Sequence, residues 1–437
     1  MKKLNITFCS FPDYAGNAKA LYEYMRDKYD FHYTWIVYNE KSVEVLRKSG
    51  VHAILIGTDE FKKYISKTDV FFTTHANLAG DKIKTKKGIY IELWHGIGPK
   101  PLGFLTNNPT KKDYDWYSFL SETLDYVIVP NEFWRVIFSS FFNMKPERIL
   151  PLGFPMQREI MLSNGKENLA NLLDVDLSKY SKIIYYMPTF KKGCGRGVEA
   201  NINADNILNL KPYDEEMFLK YLNDNDILLV VKRHPSDECE YKIIGNDNIK
   251  NIDDVMLFTK GYNINNILNA ADIMITDYSS LGLEFSMLGR PSVYLTTDAM
   301  EYMNNRGIIF GNFDFWTDKF KCDNIDMLLK YLDTLINEKN KNYNLNNKIM
   351  YNNNDDDGGC ARICNFLFDG NKINKGVKRY NSELFKLRDL TQKQKNIIEE
   401  DNKEIEKLKQ ELYEVYNSKG WQMLEKLRSV KTTFKKK

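Results

Sequence analysis

Two histidines and one hydroxyl-rich turn carry most of the chemistry that this sequence offers. His95 ends the apolar strand of I-E-L-W-H-G-I-G-P-K-P-L-G, residues 91–103, where the glycines and prolines that follow leave the imidazole on a loop. His234 ends the continuous apolar run I-L-L-V-V-K-R-H-P, residues 227–235, just before a chain-turning proline. Loops at the carboxyl ends of parallel strands are where open α/β sheets place their ligands. An imidazole whose ordinary pKa is about 6.5 takes up a proton near neutral pH, which suits a general base. A lone histidine more often fills a structural role, but only five occur in 437 residues, and these two stand at equivalent strand ends in different halves of the chain.

The turn lies in A-D-I-M-I-T-D-Y-S-S-L-G-L-E-F-S-M-L-G-R-P, residues 271–291. Ile273, Met274 and Ile275 read as a short buried strand, Thr276 to Ser280 as the turn, and Ser280 to Leu288 as a helix stopping at Gly289. A helix start presents unpaired N–H groups and the positive end of the helix dipole, so Thr276, Ser279 and Ser280 would complete a pyrophosphate cradle without a Walker-type lysine. The same residues also serve as ordinary caps. Glu284, one turn further on, would hold ribose hydroxyls or be a plain helix-surface carboxylate. The D-x-D triplets Asp174-Val175-Asp176 and Asp224-Asn225-Asp226 fall in linker or turn contexts and read as turn chemistry, not metal ligands.

The elements that must position these groups alternate in type. Strands are predicted at Leu4 to Cys9, Tyr33 to Val37, Ala53 to Ile56, Val70 to Thr73, Gly88 to Leu93, Tyr126 to Val129 and Ile149 to Leu152, with helices such as Ala18 to Arg26 and Glu132 to Phe142 between them. A second series follows at Ile183 to Met187, Ile227 to Lys232, Ile273 to Thr276 and Ser292 to Leu295. Such alternation implies parallel sheets flanked by helices. The polar stretch Ser163 to Ser181 reads as a linker, dividing an N-terminal Rossmann-like domain, residues 1–165, from a second, residues 181–370, with a helical basic tail at 379–437.

Taken in order, the motifs resemble the CDP-glycerol glycerophosphotransferase family, the polymerases and primases of teichoic acids and related capsule polymers. Trp94, His95, Gly96, Lys100 and Gly103 match W-H-G-x-x-x-K-x-x-G; Gly153 and Pro155 match G-[YF]-P; Met187 to Lys191 resemble A-P-T-[FW]-[RK]. His234 and Pro235 fit R-x-H-P with Lys232 in the arginine's place, and Thr276 to Pro291 fit the T-D-Y-S-S…R-P signature. Departures are Ile97-Gly98 for Thr-Pro and Gln157-Arg158-Glu159 for R-N-D, both on the acceptor side, and D-D-D-G-G-C-A-R for D-G-x-x-x-x-R near Arg362. The resemblance implies a GT-B-like α/β fold, two Rossmann-like domains facing a cleft, with His95 on the acceptor side and His234 on the donor side. It implies Lys232, Arg233, Thr276, Asp277, Ser279, Ser280, Glu284 and Arg362 as donor-binding residues, with Gly96, Lys100, Pro188 and Thr189 as further cleft residues. The implied reaction moves a polyol phosphate, glycerol phosphate first among them, from a CDP-activated donor to a hydroxyl of a surface polymer or its lipid-linked primer, with no metal and no cofactor.

Composition is consistent with a large α/β enzyme. At 51.3 kDa and 43% hydrophobic the chain can bury two cores. Its six cysteines form no C-x-x-C pair and read as reduced cytosolic thiols. The N-terminus lacks the apolar run of a secretory signal and no stretch is long enough to span a membrane, so a cytoplasmic protein is expected. From Asn371 onward eighteen Lys and Arg face ten Asp and Glu, so the tail carries +8 and the first 370 residues −5. Within it Leu384, Ile398, Ile405 and Leu412 share one heptad position and Leu387, Leu408 and Val415 the other, interrupted by Thr391, Gln394 and Asp401. This reads as a short coiled coil, which would make a homo-oligomer, or as an amphipathic helix on the body. After Gly420, Met423, Leu427, Val430 and Phe434 recur beside Lys426, Arg428, Lys431 and Lys435, which suits the anionic inner leaflet of the cell membrane; a frayed basic terminus is the alternative. Nucleic acid is not expected, because the body is acidic and no stripe interleaves aromatic and basic residues. Competing readings are a nucleotide-sugar glycosyltransferase on the same fold, a nucleotide-sugar epimerase, and a catalytically silent scaffold recruited through the tail.

Overall fold

The computed structural model describes residues 3–81, 88–189, 206–232, 247–317, 319–337, 350, 358–369 and 377–424. Among these, the strands β1 (Asn5–Cys9), β2 (His32–Val37), β3 (Ala53–Leu55), β4 (Val70–Thr73), β5 (Ile89–Glu92), β6 (Tyr126–Ile128) and β7 (Ile149–Leu150) form one sheet in the order β3-β2-β1-β4-β5-β6-β7. A second sheet holds β8 (Lys182–Tyr186), β9 (Ile227–Lys232), β10 (Ile249–Ile252), β11 (Ile273–Thr276), β12 (Ser292–Leu295) and β13 (Lys321–Cys322) in the order β10-β9-β8-β11-β12-β13. Every pairing is parallel, as in β1 with β4 and β8 with β11. This is the doubly wound α/β pattern expected from the alternation, twice over.

The strands read as continuous apolar runs because helices cover both faces and bury them. In the first sheet Phe8 stacks between Trp35 and Phe72, at 5.4 and 5.2 Å, and all three are fully buried. Burying each such ring stabilises the fold by about 1.5–3 kcal/mol. The second core gathers Ile184, Leu229, Val231, Ile275 and Val293 with Phe218, Leu328 and Leu332 from the covering helices. Helix starts follow from local chemistry, since Asn39, Thr58, Asn131, Asp214 and Asp253 each accept a hydrogen bond from the first turn.

Three features differ from the sequence reading. Strand β10, I-K-N-I, and the two-residue β13 were not foreseen, because their polar or short sequences become strands only by pairing with β9 and β12. The expected linker is folded: Gly165–Leu173 is a helix that buries Leu169 and Leu172, and Asn168 donates to the carbonyl of Asn266. Residues 358–369 pack on the first half, not the second; Cys360 Sγ meets the carbonyl of Ala20, and Phe368 lies against Tyr29 and Phe31. The D-x-D triplets do serve turns: Asp174 and Asp226 adopt left-handed backbone, and Asp176 caps Ser178. Cys9, Cys322, Cys360 and Cys364 are buried free thiols.

The tail forms a compact unit of its own from Asn371. Its helix, Val377–Asn417, runs 41 residues, about 60 Å at 1.5 Å per residue. Ile398, Ile405, Leu408, Leu412 and Val415 are exposed along it, an apolar stripe on two heptad positions. Leu427, Val430, Phe434 and the basic residues from Lys426 onward lie outside the described residues. No described helix is long and apolar enough to cross a membrane.

A buried polar bridge links the two halves of the body. Lys19 Nζ lies 3.1 Å from Glu159 Oε1, both side chains nearly inaccessible, and Asn263 Nδ2 donates to both carboxylate oxygens. Burial pulls the Lys19 ammonium down, but the Glu159 and Glu23 carboxylates outweigh it and its pKa is raised. Stranding one charge of a buried pair costs about 3–5 kcal/mol. Lys19→Met should therefore lower the thermal midpoint by several degrees, and the double variant Lys19→Met, Glu159→Met should be less destabilised than the two single changes summed. An unchanged midpoint for Lys19→Met would refute this account of the bridge.

Candidate functional site

In both sheets the strand order reverses at the centre, between β1 and β4 and between β8 and β11. Crevices open at the carboxyl ends of strands on either side of such a reversal. The loops that leave these strands face each other. A cavity of about 180 Å³ between them is lined by residues 11–17 after β1, Thr74 after β4, His95 after β5, and Ser280, Leu281 and Glu284 after β11, with Asp254, Phe258 and Tyr262 closing one side.

His95 is set by the residues before it. Glu92, fully buried at the end of β5, accepts from Thr73 Oγ1 (2.7 Å), the Ala76 amide (2.7 Å) and the Trp94 amide (3.0 Å). Burial pushes its carboxyl up to about 8, against the pull of these three donors. Ala76 and Trp94 both adopt left-handed backbone, at φ 53° and 57°, and this turns the chain so that His95 Nδ1 comes to 2.8 Å from the carbonyl oxygen of Thr74. A carbonyl only accepts, so Nδ1 carries the proton and Nε2 is the basic nitrogen. The ring edge is open to the cleft while the cleft walls surround it. That partial desolvation, against the Thr74 bond and together with nearby Lys100, draws its pKa down to about 4.

The two halves touch at Gly96. Its φ is 133°, and a Cβ there would stand 2.5 Å from Glu284 Oε1, so a side chain would strain the backbone and displace the Glu284 carboxyl. Glu284 lies buried in the cavity wall, and burial raises its carboxyl to about 8, which makes it a hydrogen-bond donor near neutral pH. Lys100 reaches across from the first half and donates to Thr189 Oγ1 at 2.7 Å. Burial lowers its pKa to about 8, opposed by Asp277 and aided by Arg306.

Of the expected donor residues, the structure divides the set. Ser280 and Glu284 line the cavity. Thr276 does not offer its hydroxyl to a ligand: it is fully buried and donates to the carbonyl of Met187, clamping the ends of β8 and β11. Asp277 accepts from the Thr189 amide at 2.7 Å, which places Pro188 and Thr189 beside the T-D-Y-S-S turn. Ser279 caps the helix Ser280–Ser286, which is shorter than expected. Lys232 pairs with Asp254 at 3.1 Å. Arg362 is set apart from the donor side; its Nε donates to the carbonyl of Leu152 and its guanidinium lies over Gly153, because its helix docks on the first half. His234 and Arg233 lie outside the described residues.

Two residues were missed. His75 stacks on His95, ring centroids 3.8 Å apart and planes within 9°. It ends V-F-F-T-T-H, an apolar strand delivering a histidine, the same cue that marked the other two. Asn17, fully buried, donates to the carbonyls of Leu93 and Trp94 and accepts from the Met156 amide, holding the W-H-G loop to the segment after Pro155. Nothing in the sequence around Asn17 separates it from a surface asparagine.

Comparison with known proteins agrees with this geometry. Teichoic acid glycerol-phosphate primase of Bacillus subtilis is 28% identical over 313 residues, 68% of this chain and 75% of the relative. Teichoic acid poly(glycerol phosphate) polymerase of Bacillus spizizenii is 26% identical over 356 residues, 76% of this chain and 83% of the relative. The fold matches the wall teichoic acid polymerase TagF with a TM-score of 0.64 at 22% identity, over 85% of this chain and 90% of that one. With residues 1–369 matching the model of CDP-Glycerol:Poly(glycerophosphate) glycerophosphotransferase, the chain belongs to that family.

Proposed function

We propose that this protein transfers glycerol phosphate from CDP-glycerol to a hydroxyl of a teichoic-acid or capsule-type polymer, or of its lipid-linked primer, with release of CMP. The observation that supports this reading most directly is the placement of His95, with its basic Nε2 in a cleft between two switch points, in a member of this family. The acceptor oxygen forms a bond to the β-phosphorus as the bond from that phosphorus to the CMP oxygen breaks, and the acceptor proton passes to His95 Nε2. Negative charge gathers on the departing CMP. Lys100, still cationic at neutral pH, and the half-buried hydroxyl of Ser280 stand near enough to the cleft to offset it, with His234 assigned the same task from its motif. On this reading the donor lies against the second half, beside Ser280 and Glu284, and the acceptor against the first.

The donor is tested by CMP or UDP release with CDP-glycerol, CDP-ribitol and UDP-sugars. CMP from CDP-glycerol is expected, in exhaustive chelator as in magnesium, because lysine, hydroxyls and histidine do the work of a cation. UDP release alone would establish the glycosyltransferase reading. Loss of all turnover in chelator, restored by one divalent ion, would make the enzyme metal-dependent.

His95→Ala and His234→Ala should each lower kcat by about two to four orders of magnitude with the fold intact. The active form of His95 is neutral, and its lowered pKa keeps it neutral further into acid, so the acid limb of kcat/KM should fall below pH 6.5. Bound phosphates favour the imidazolium, which moves the limb of kcat upward. Lys100 loses its charge near 8, so an alkaline limb is expected there and should move up in Lys100→Arg. Near-normal turnover in both histidine variants would remove these assignments.

The tail is assigned to the anionic membrane face, on the charge of +8 and the apolar positions after Gly420. Each Lys or Arg near the surface adds about 1 kcal/mol of attraction. A chain ending at Asn417 should lose salt-sensitive co-sedimentation with anionic vesicles and keep transfer to a short soluble acceptor. Retained vesicle binding would shift the tail's role to self-association through Ile398, Ile405 and Leu412, which light scattering would register.

A further inference from the structure

We propose that His75 is a positioning residue: its ring is the plate on which the His95 imidazole is held flat, covered on one face and aimed into the cleft. The inference rests on the reading of His95 as the base, and concerns how one tautomer and one orientation are maintained. Thr74 serves both rings. Its carbonyl oxygen takes the His95 Nδ1 proton at 2.8 Å, and its Oγ1 lies 2.8 Å from His75 Nδ1. The rings are 3.8 Å apart and 9° from parallel, His75 is backed edge-on by Phe11 at 5.9 Å, and Trp94 leans on His95 at 4.4 Å. His95 is therefore gripped on its face and at one nitrogen, while Nε2 has no protein partner among the described residues.

The surroundings give this plate a task. Facing His95 are the Lys100 ammonium on its own loop, Glu284 from the helix across Gly96, Asp13 and Asp254 on the cavity wall, and Glu92 behind the loop. None of these carboxylates is bonded to the ring in the described structure, so nothing fixes the imidazole by ion pairing. A flexible ring beside Lys100 would turn its proton-accepting nitrogen away from the acceptor or take up water. The stack prevents both, and a second charge cannot enter the pair because two imidazoliums in contact repel. Burial and His95 together depress the His75 pKa to about 2, so His75 acts as a neutral surface throughout the working range.

A plate needs an aromatic ring and not a titrating nitrogen, and this separates the proposal from a direct catalytic role. His75→Phe should keep kcat within about threefold of the parent. His75→Ala should lower kcat at least tenfold with the KM for CDP-glycerol nearly unchanged, and move the acid limb of kcat/KM up toward pH 6.5 as water reaches His95. Long-range ¹H–¹⁵N correlation of the histidine side chains reads the same point without turnover: the Nδ1–H tautomer of His95 should persist in the parent and in His75→Phe and become mixed in His75→Ala, with its titration shifted upward. If His75→Ala does not fold, His75→Leu takes its place, since it fills the volume without a stacking face. An unchanged tautomer, titration and kcat in the non-aromatic variants would overturn the proposal; equal losses in His75→Phe and His75→Ala would overturn it too, by giving the His75 nitrogen a part in the chemistry. If instead His95→Ala retains turnover, the base assignment fails, and the tautomer measurement still decides whether the stack exists.

Discussion

The buried carboxyl of Glu92 is the interaction on which the site depends. It accepts from the amides of Ala76 and Trp94 and the hydroxyl of Thr73, and both amides belong to residues in left-handed backbone. A bulky Trp at positive φ is strained by roughly 1–3 kcal/mol and persists only where its surroundings over-determine it. Here the surroundings are three hydrogen bonds in a place without water. The strain is put to use, because it turns the ends of β4 and β5 toward each other and brings His75 and His95 into contact.

A second constraint acts between the halves. At Gly96 the W-H-G loop meets the helix that follows T-D-Y-S-S so closely that a methyl group would collide with Glu284. The family motif therefore has a steric meaning at this position: the glycine permits the two switch points to share one cavity. Lys100 and Thr189 make the polar counterpart of that contact, and the bridge of Lys19, Glu159 and Asn263 fixes the halves on the other side. Gln157-Arg158-Glu159, where the family carries another triplet, supplies one end of this bridge, while Gln157 itself accepts from the Phe154 amide. Gln157 and Glu159 are thus structural in this chain.

The electrostatics of the cleft follow from the same close approach. The cleft walls desolvate Glu284 fully and Lys100 and His95 in part, which favours the neutral form of each. A phosphate group in this cleft would meet donors in Lys100 and a protonated Glu284, and its negative charge would raise the basicity of the neutral His95 imidazole.

What the sequence determined by itself was the architecture and the strand-end place of His95. Apolar runs ending in glycine, proline or histidine are local patterns, and a strand buried on both faces writes itself as such a run; nearly every strand and the position of His95 were legible for that reason. The folded linker was less so, since Leu169 and Leu172 have meaning only against the residues they cover. What only the tertiary structure decided was the direction in which each polar group is spent. Thr276 reads as a phosphate ligand and is a clamp on Met187, Arg362 reads as a donor-site cation and holds Leu152, and Asn17 reads as nothing and joins three segments. A hydroxyl, amide or guanidinium binds whatever acceptor or donor lies within 3 Å of it, and that neighbour is set by contacts between residues far apart in the chain.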